Sequence, residues 1–201
     1  MKLQFWFEFA STYSYVAAQR IEALAQRAGV ELEWKPFLLG PIFAAQLGTA
    51  DSPFNVHPIR GRYMWRDLER LCERHALPWR RPSVFPRTSL LAARVACAAA
   101  AEAFGPAFVR AVFRANFPED RDIGAQAVVA ELIESVGQPA EVWLQRAQSN
   151  EVKQALRENT DRAAALGIFG APSFVAGDEL FWGQDRIDDA LAFCRRAQST
   201  R

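Results

Sequence analysis

The residues with the clearest chemical potential stand near the start of the chain, in KLQFWFEFASTYSYV. An apolar run ends there in small hydroxyls, with Ser11 and Ser14 in a Ser-x-x-Ser spacing and a helical pattern following at once. One reading is a helix cap, in which an oxygen of Ser11 or Thr12 accepts a hydrogen bond from an unpaired backbone N–H. The other uses the same physics outward. A helix N-terminus carries unpaired N–H groups and partial positive charge, so it stabilises an anion placed beside it. Two more stretches matter. GIFGAPSF, residues 167–174, places the small Ala171 before Pro172 at the start of a short apolar run. A cis Ala171–Pro172 bond would offer the Ala171 backbone to an extended peptide, whereas a trans one reads as an ordinary turn opening an edge strand. FWGQDR, residues 181–186, sets Gln184 and Asp185 where a strand gives way to a helix. Asp185 there is either a cap or an acceptor for a ligand ammonium.

Composition narrows the background. The chain has 201 residues, is half hydrophobic and carries a formal charge of +1. That is globular composition, and no overall field points to nucleic acid or to a membrane surface. The first apolar stretch contains Glu8 and lacks a signal-peptide cleavage pattern, so the expected location is cytoplasmic. Cys72, Cys97 and Cys194 are far apart, with no C-x-x-C. They exclude a disulfide scaffold and a zinc site, and read as small core residues.

The elements that must position these residues follow from periodicity. Residues 2–9 read as a strand, 13–28 as one helix stopped by Gly29, and 30–37 as an alternating strand. Residues 40–61, with Pro41, Pro53 and Pro58, read as turn-rich. Nearly everything from there to Leu166 is helical, including an Ala-rich helix over 89–104. RYMWRDLERLCERHA puts Met64, Leu68, Leu71, Cys72 and His75 on one stripe, with His75 expected to be packed and hydrogen-bonded. Phe174 and Val175 begin a hairpin turning at Gly177-Asp178, and a last helix contains Ile187, Ala190, Leu191 and Cys194. The order β-α-β, helices, β-β-α predicts an α/β, thioredoxin-like fold with an inserted all-helical domain. The expected boundaries are 1–40 and 167–201 for the thioredoxin-like part and 41–166 for the insertion.

On that fold, Ser11 stands where redox proteins keep the first cysteine of C-x-x-C, whose thiolate lies at a helix N-terminus. Serine cannot shuttle a disulfide. It can donate a hydrogen bond to a thiolate brought in by a ligand, and glutathione is the obvious soluble thiol. Asp185 would then accept from the ammonium of its γ-glutamyl group.

FEFASTYSY, SPFNVHPIRGRYMWRDLER, FPRTSL, GIFGAPSF and FWGQDR occur in this order along the chain. Through them the sequence resembles the 2-hydroxychromene-2-carboxylate isomerases, relatives of kappa-class glutathione transferases in the DsbA-like branch of the thioredoxin superfamily. The resemblance implies a homodimer with glutathione as cofactor and Ser11 activating its thiol. It places the γ-glutamyl end near Gln184 and Asp185, and the cysteinyl backbone against Ala171 beside a cis Pro172. It brings Arg60, where the family has lysine, and Asn55 to glutathione. Thr88 departs from the family pattern in a segment expected near the second substrate.

The implied reaction is reversible addition of the thiolate to a conjugated aromatic carboxylate, rotation about the former double bond, and departure of the thiolate. The Arg-rich stretch from Arg74 to Arg87 is a candidate receiver for that carboxylate, or else a solvated helix end. Two rivals share the site: a kappa-like transferase that consumes the thiol, and a non-catalytic glutathione or peptide binder. There is no G-x-S-x-G, which argues against a serine hydrolase. The missing C-x-x-C excludes a disulfide oxidoreductase.

Overall fold

The computed structural model describes residues 1–199. Thr200 and Arg201, at the end of the expected 167–201 segment, lie outside the described residues. β1 (Lys2–Phe7), β2 (Glu31–Pro36), β3 (Ser173–Ala176) and β4 (Glu179–Trp182) form one sheet in the order β2-β1-β3-β4. β1 pairs parallel with β2, and β3 pairs antiparallel with both β1 and β4. This is a thioredoxin-like sheet, as the element order predicted. β1 is central because both its faces are apolar. Leu3, Phe5 and Phe7 enter the main core, while Trp6 enters a smaller one with Phe37, Ile42 and Val175.

The expected helix over 13–28 is two helices, α1 (Thr12–Ala18) and α2 (Ile21–Ala28). The side chains at the break are committed elsewhere. Gln19 donates to the Arg110 carbonyl at 3.3 Å, and Arg20 donates to the Gln184 amide oxygen at 2.9 Å. α2 ends at Gly29, whose φ of +65° is the left-handed conformation that glycine adopts without strain.

Eight helices separate β2 from β3. The stretch expected to be turn-rich holds α3 (Leu39–Leu47), α4 (Pro53–Val56) and the start of α5 (Pro58–Arg74). Its prolines are helix starts, because the N–H groups of a first turn have no helical partner to lose. The Ala-rich helix is shorter than expected, as α6 (Leu90–Ala98). α7 (Gly105–Asn116), α8 (Gln126–Ser135), α9 (Ala140–Ala147) and α10 (Asn150–Ala165) follow. α11 (Ile187–Ser199) closes the chain after a 3₁₀ turn at Gln184–Arg186. His75 ends α5 half-buried, and its imidazole has no hydrogen-bond partner among the described residues. The stripe brought it to the helix end, where burial is incomplete. The main hydrophobic cluster runs without interruption from Phe5 and Phe174 in the sheet to Phe113 and Ile133 in the helices.

Candidate active site

Ser11 serves as a cap and does more. Its backbone is extended (φ −80°, ψ 120°), and its Oγ accepts from the Ser14 N–H at 3.1 Å. The same hydroxyl donates to the Ala171 carbonyl at 2.8 Å, joining residues 160 positions apart. The Ala171–Pro172 bond is cis. The Ala171 N–H has no hydrogen-bond partner among the described residues. The end of β1 and the start of β3 thus converge on one point, with the N-terminus of α1 aimed at it.

A cavity of about 890 Å³ opens in front of Ser11. Its walls are mostly apolar and include Phe43 from α3, Phe54 from α4, Phe85, and the tilted pair Phe169 and Trp182 at 4.7 Å between rings. Both members of that pair are about half exposed, at 46% and 52%. Gly170 makes the pairing possible, since a Cβ there would come within 2.5 Å of the Trp182 indole nitrogen. Arg60 contributes an exposed cation with no ion-pair partner among the described residues. This size and lining suit a small aromatic ligand with a few polar handles.

One wall is clamped by a buried network. Arg87 Nη1 donates to Asn116 at its carbonyl (3.1 Å) and its Oδ1 (3.0 Å). Its Nη2 pairs with the Asp120 carboxylate and donates to the Ser83 hydroxyl at 3.0 Å. Asn116 in turn donates to the Phe9 carbonyl at 3.0 Å, beside the site. Hydrogen bonding from Arg87 holds the Asp120 carboxyl down to about 2.

A different carboxyl lies closer to Ser11. Glu8 is buried at the end of β1 and lines the cavity. Its Oε1 accepts from the Ser89 hydroxyl and, at 3.4 Å, from the Ala10 N–H. Its Oε2 accepts from the Leu39 N–H at 3.1 Å. Burial pushes its pKa up, and these neutral donors offset only part of that. Tyr13 also faces the cavity and donates to Asp67 at 3.0 Å. Burial, that bond and the charges of Asp67 and Asp185 all raise its phenol.

Residues 2–193 match the DSBA-like thioredoxin domain family. The chain belongs to that family. A 2-hydroxychromene-2-carboxylate isomerase of Sphingobium xenophagum is 28% identical over 186 residues, covering 92% of this chain and 94% of that one. Glutathione S-transferase kappa 2 of Caenorhabditis elegans is 24% identical over 209 residues, covering 95% and 90%. A solved structure of a 2-hydroxychromene-2-carboxylate isomerase superposes with a TM-score of 0.87 at 26% identity, covering all of both chains.

In this DsbA-like chain the expected site residues divide. Ser11, Ala171 and Arg60 line the cavity, and Pro172 adjoins it. Gln184 and Asp185 occupy the 3₁₀ turn outside the cavity lining. The Gln184 amide oxygen accepts from Arg20, and Asp185 pairs with Arg186 at 2.9 Å while its charge reaches Tyr13. Asn55 is exposed and bridges the Asp51 carboxylate (3.0 Å) and the Phe85 carbonyl (3.1 Å), so it braces the cavity wall. The Arg74–Arg87 stretch does not converge as a carboxylate receiver. Arg81 lies over the Trp65 ring at 4.9 Å, and Arg87 is spent on Asp120 and Asn116. Thr88 lines the cavity, as its expected nearness to a second substrate requires. Sequence reasoning missed Glu8, Ser89, Tyr13 and the Phe169–Trp182 pair. The one available signal was an acid breaking the otherwise apolar run FWFEF.

Proposed function

We propose that this protein is a glutathione-dependent cis/trans isomerase of the 2-hydroxychromene-2-carboxylate isomerase type. The observation that carries the reading is the Ser11 hydroxyl at the α1 N-terminus, facing a cavity with aromatic walls beside the Ala171 N–H, which has no partner among the described residues. The names of its relatives support an isomerase-like enzyme and a link to glutathione.

The residues present fit glutathione. Among the described residues nothing occupies the Ala171 N–H, a donor for a peptide carbonyl, or pairs with Arg60, a cation for a carboxylate. Asp185 supplies a carboxylate for an ammonium once it exchanges its exposed pairing with Arg186, which holds it weakly. Bound there, glutathione would supply the nucleophilic thiolate for reversible addition to a conjugated substrate. Ser11 has one proton to give. In the structure it goes to the Ala171 carbonyl, and rotation about the Ser11 side chain redirects it toward a sulfur anion at the helix N-terminus. The Phe169–Trp182 pair and Phe43 would hold the aromatic ring and exclude water around the reacting carbons. The reading includes a homodimer and a place in aromatic breakdown.

The test is optical assay of 2-hydroxychromene-2-carboxylate isomerisation with and without glutathione, in wild type and in Ser11→Ala. The variant should lose about a hundredfold or more in kcat, the effect of removing one preorganised donor. Unchanged turnover in the variant, or turnover without glutathione, would overturn the reading. Stoichiometric loss of free thiol would favour the transferase instead.

A further inference from the structure

We propose that Glu8 and Ser89 form a proton relay that serves the substrate side of the cavity, a role that rests on the isomerase reading above. Ser89 occupies the N-cap position of α6, where a serine ordinarily bonds the first-turn N–H groups. It makes no such cap. Its hydroxyl turns away and donates to Glu8 Oε1, across 81 residues of sequence. Both residues are buried, at 6% exposure each, and both line the cavity that Ser11 faces. A helix cap has been given up for a contact between two cavity-lining groups.

Among the described residues no cation pairs with Glu8. Arg87, two residues before Ser89, is paired with Asp120. Tyr13 is tied to Asp67 on α5. His57 and Arg60 line the cavity from the α4–α5 side. On the α3 side Glu8 meets only a backbone N–H, that of Leu39. A buried carboxyl held by neutral donors alone holds its proton to higher pH than an exposed one.

The chemistry needs such a proton. When a nucleophile adds to the far carbon of an unsaturated keto acid, the alkene pair shifts to form the enolate double bond and the carbonyl π pair moves onto the ketone oxygen. Ser89 would pass its hydroxyl proton to that oxygen and take the Glu8 carboxyl proton in the same motion. When the alkene re-forms and the nucleophile leaves, both protons return, so no proton is gained or lost overall. Before the transfer the Glu8 proton must sit on Oε1 and be donated to Ser89, the reverse of the bond in the structure; after it, Ser89 donates to the Glu8 carboxylate as it does there.

Glu8→Gln separates this role from a structural one. The glutamine oxygen still accepts from Leu39 and its amide donates to Ser89, so the side chain keeps its place and loses only the long bond from the Ala10 N–H. A merely structural Glu8 predicts no change in kcat. The relay predicts a fall of about a hundredfold, with loss of the limb on which wild-type kcat declines as Glu8 deprotonates at higher pH. Ser89→Ala should show the same two effects while retaining the carboxyl. Infrared spectroscopy of the unliganded protein supplies an independent readout. The band of a protonated carboxyl at neutral pH should be present in wild type and Ser89→Ala and absent in Glu8→Gln. Glutathione binding, measured by titration calorimetry, should be unchanged in both variants. Undiminished kcat in Glu8→Gln, or an unaltered pH profile in a folded Ser89→Ala, overturns the relay. Failure of wild type to bind glutathione or to turn over overturns the isomerase reading instead.

Discussion

Arg87 and Ser89 are two residues apart, yet the carboxyls they face behave in opposite ways. Asp120 meets a guanidinium and is held well below the ordinary carboxylate range. Glu8 meets hydroxyl and amide donors only, and burial lifts it. A carboxyl paired with a fixed cation stays charged and serves as an anchor. A carboxyl buried among neutral donors holds its proton to higher pH than an exposed one. One short segment thus joins a mechanical fastening to a chemical group, and the fastening aims the group.

The most severe way to break the contrast is to remove the anchor. Arg87→Met leaves Asp120 and the Asn116 oxygens without their donor, and should cost about 3 kcal/mol in urea unfolding. It should also lower kcat, because the wall that holds Ser89 is released.

The two carboxyls should also leave opposite marks on stability against pH. Asp120 is depressed in the folded state. Its contribution is full above about pH 4, the unfolded value, and disappears as pH falls toward about 2. Asp120→Asn should lack that acid loss. Glu8 is raised, so wild-type stability should fall as pH rises from the ordinary carboxylate range through the raised value, then level off. Glu8→Gln should lack that decline and become the more stable protein at neutral pH. Denaturant titrations at several pH values read both effects, and slopes of the same sign would refute the contrast.

The smallest effect should come from Asn55→Ala. The residue is exposed, so unfolding should change by only about 0.5 kcal/mol. If Asn55 only braces Phe85, glutathione affinity should hold. A tenfold weakening, measured by calorimetry, would restore it as a ligand contact.

The sequence was legible where the signals are local. Alternation exposed β2, Gly177-Asp178 marked the hairpin, and the Ser-x-x-Ser turn pointed to the α1 cap. It was misleading at Pro41, Pro53 and Pro58, because a proline that breaks a helix and one that starts it look alike without the third dimension. Glu8 escaped notice because its partners, Leu39 and Ser89, lie 31 and 81 residues away. The Arg-rich stretch suggested a ligand site for the same reason, since Asp120 lies 33 residues beyond Arg87.

The Ser11–Ala171 hydrogen bond has a consequence for how the protein comes into being. Its acceptor is made some 160 residues after its donor. A growing chain therefore lacks this cavity until the last hairpin has been synthesised and zipped onto β1. A ligand that needs both rims will bind finished molecules and ignore partial ones, which makes its capture a readout of completed folding.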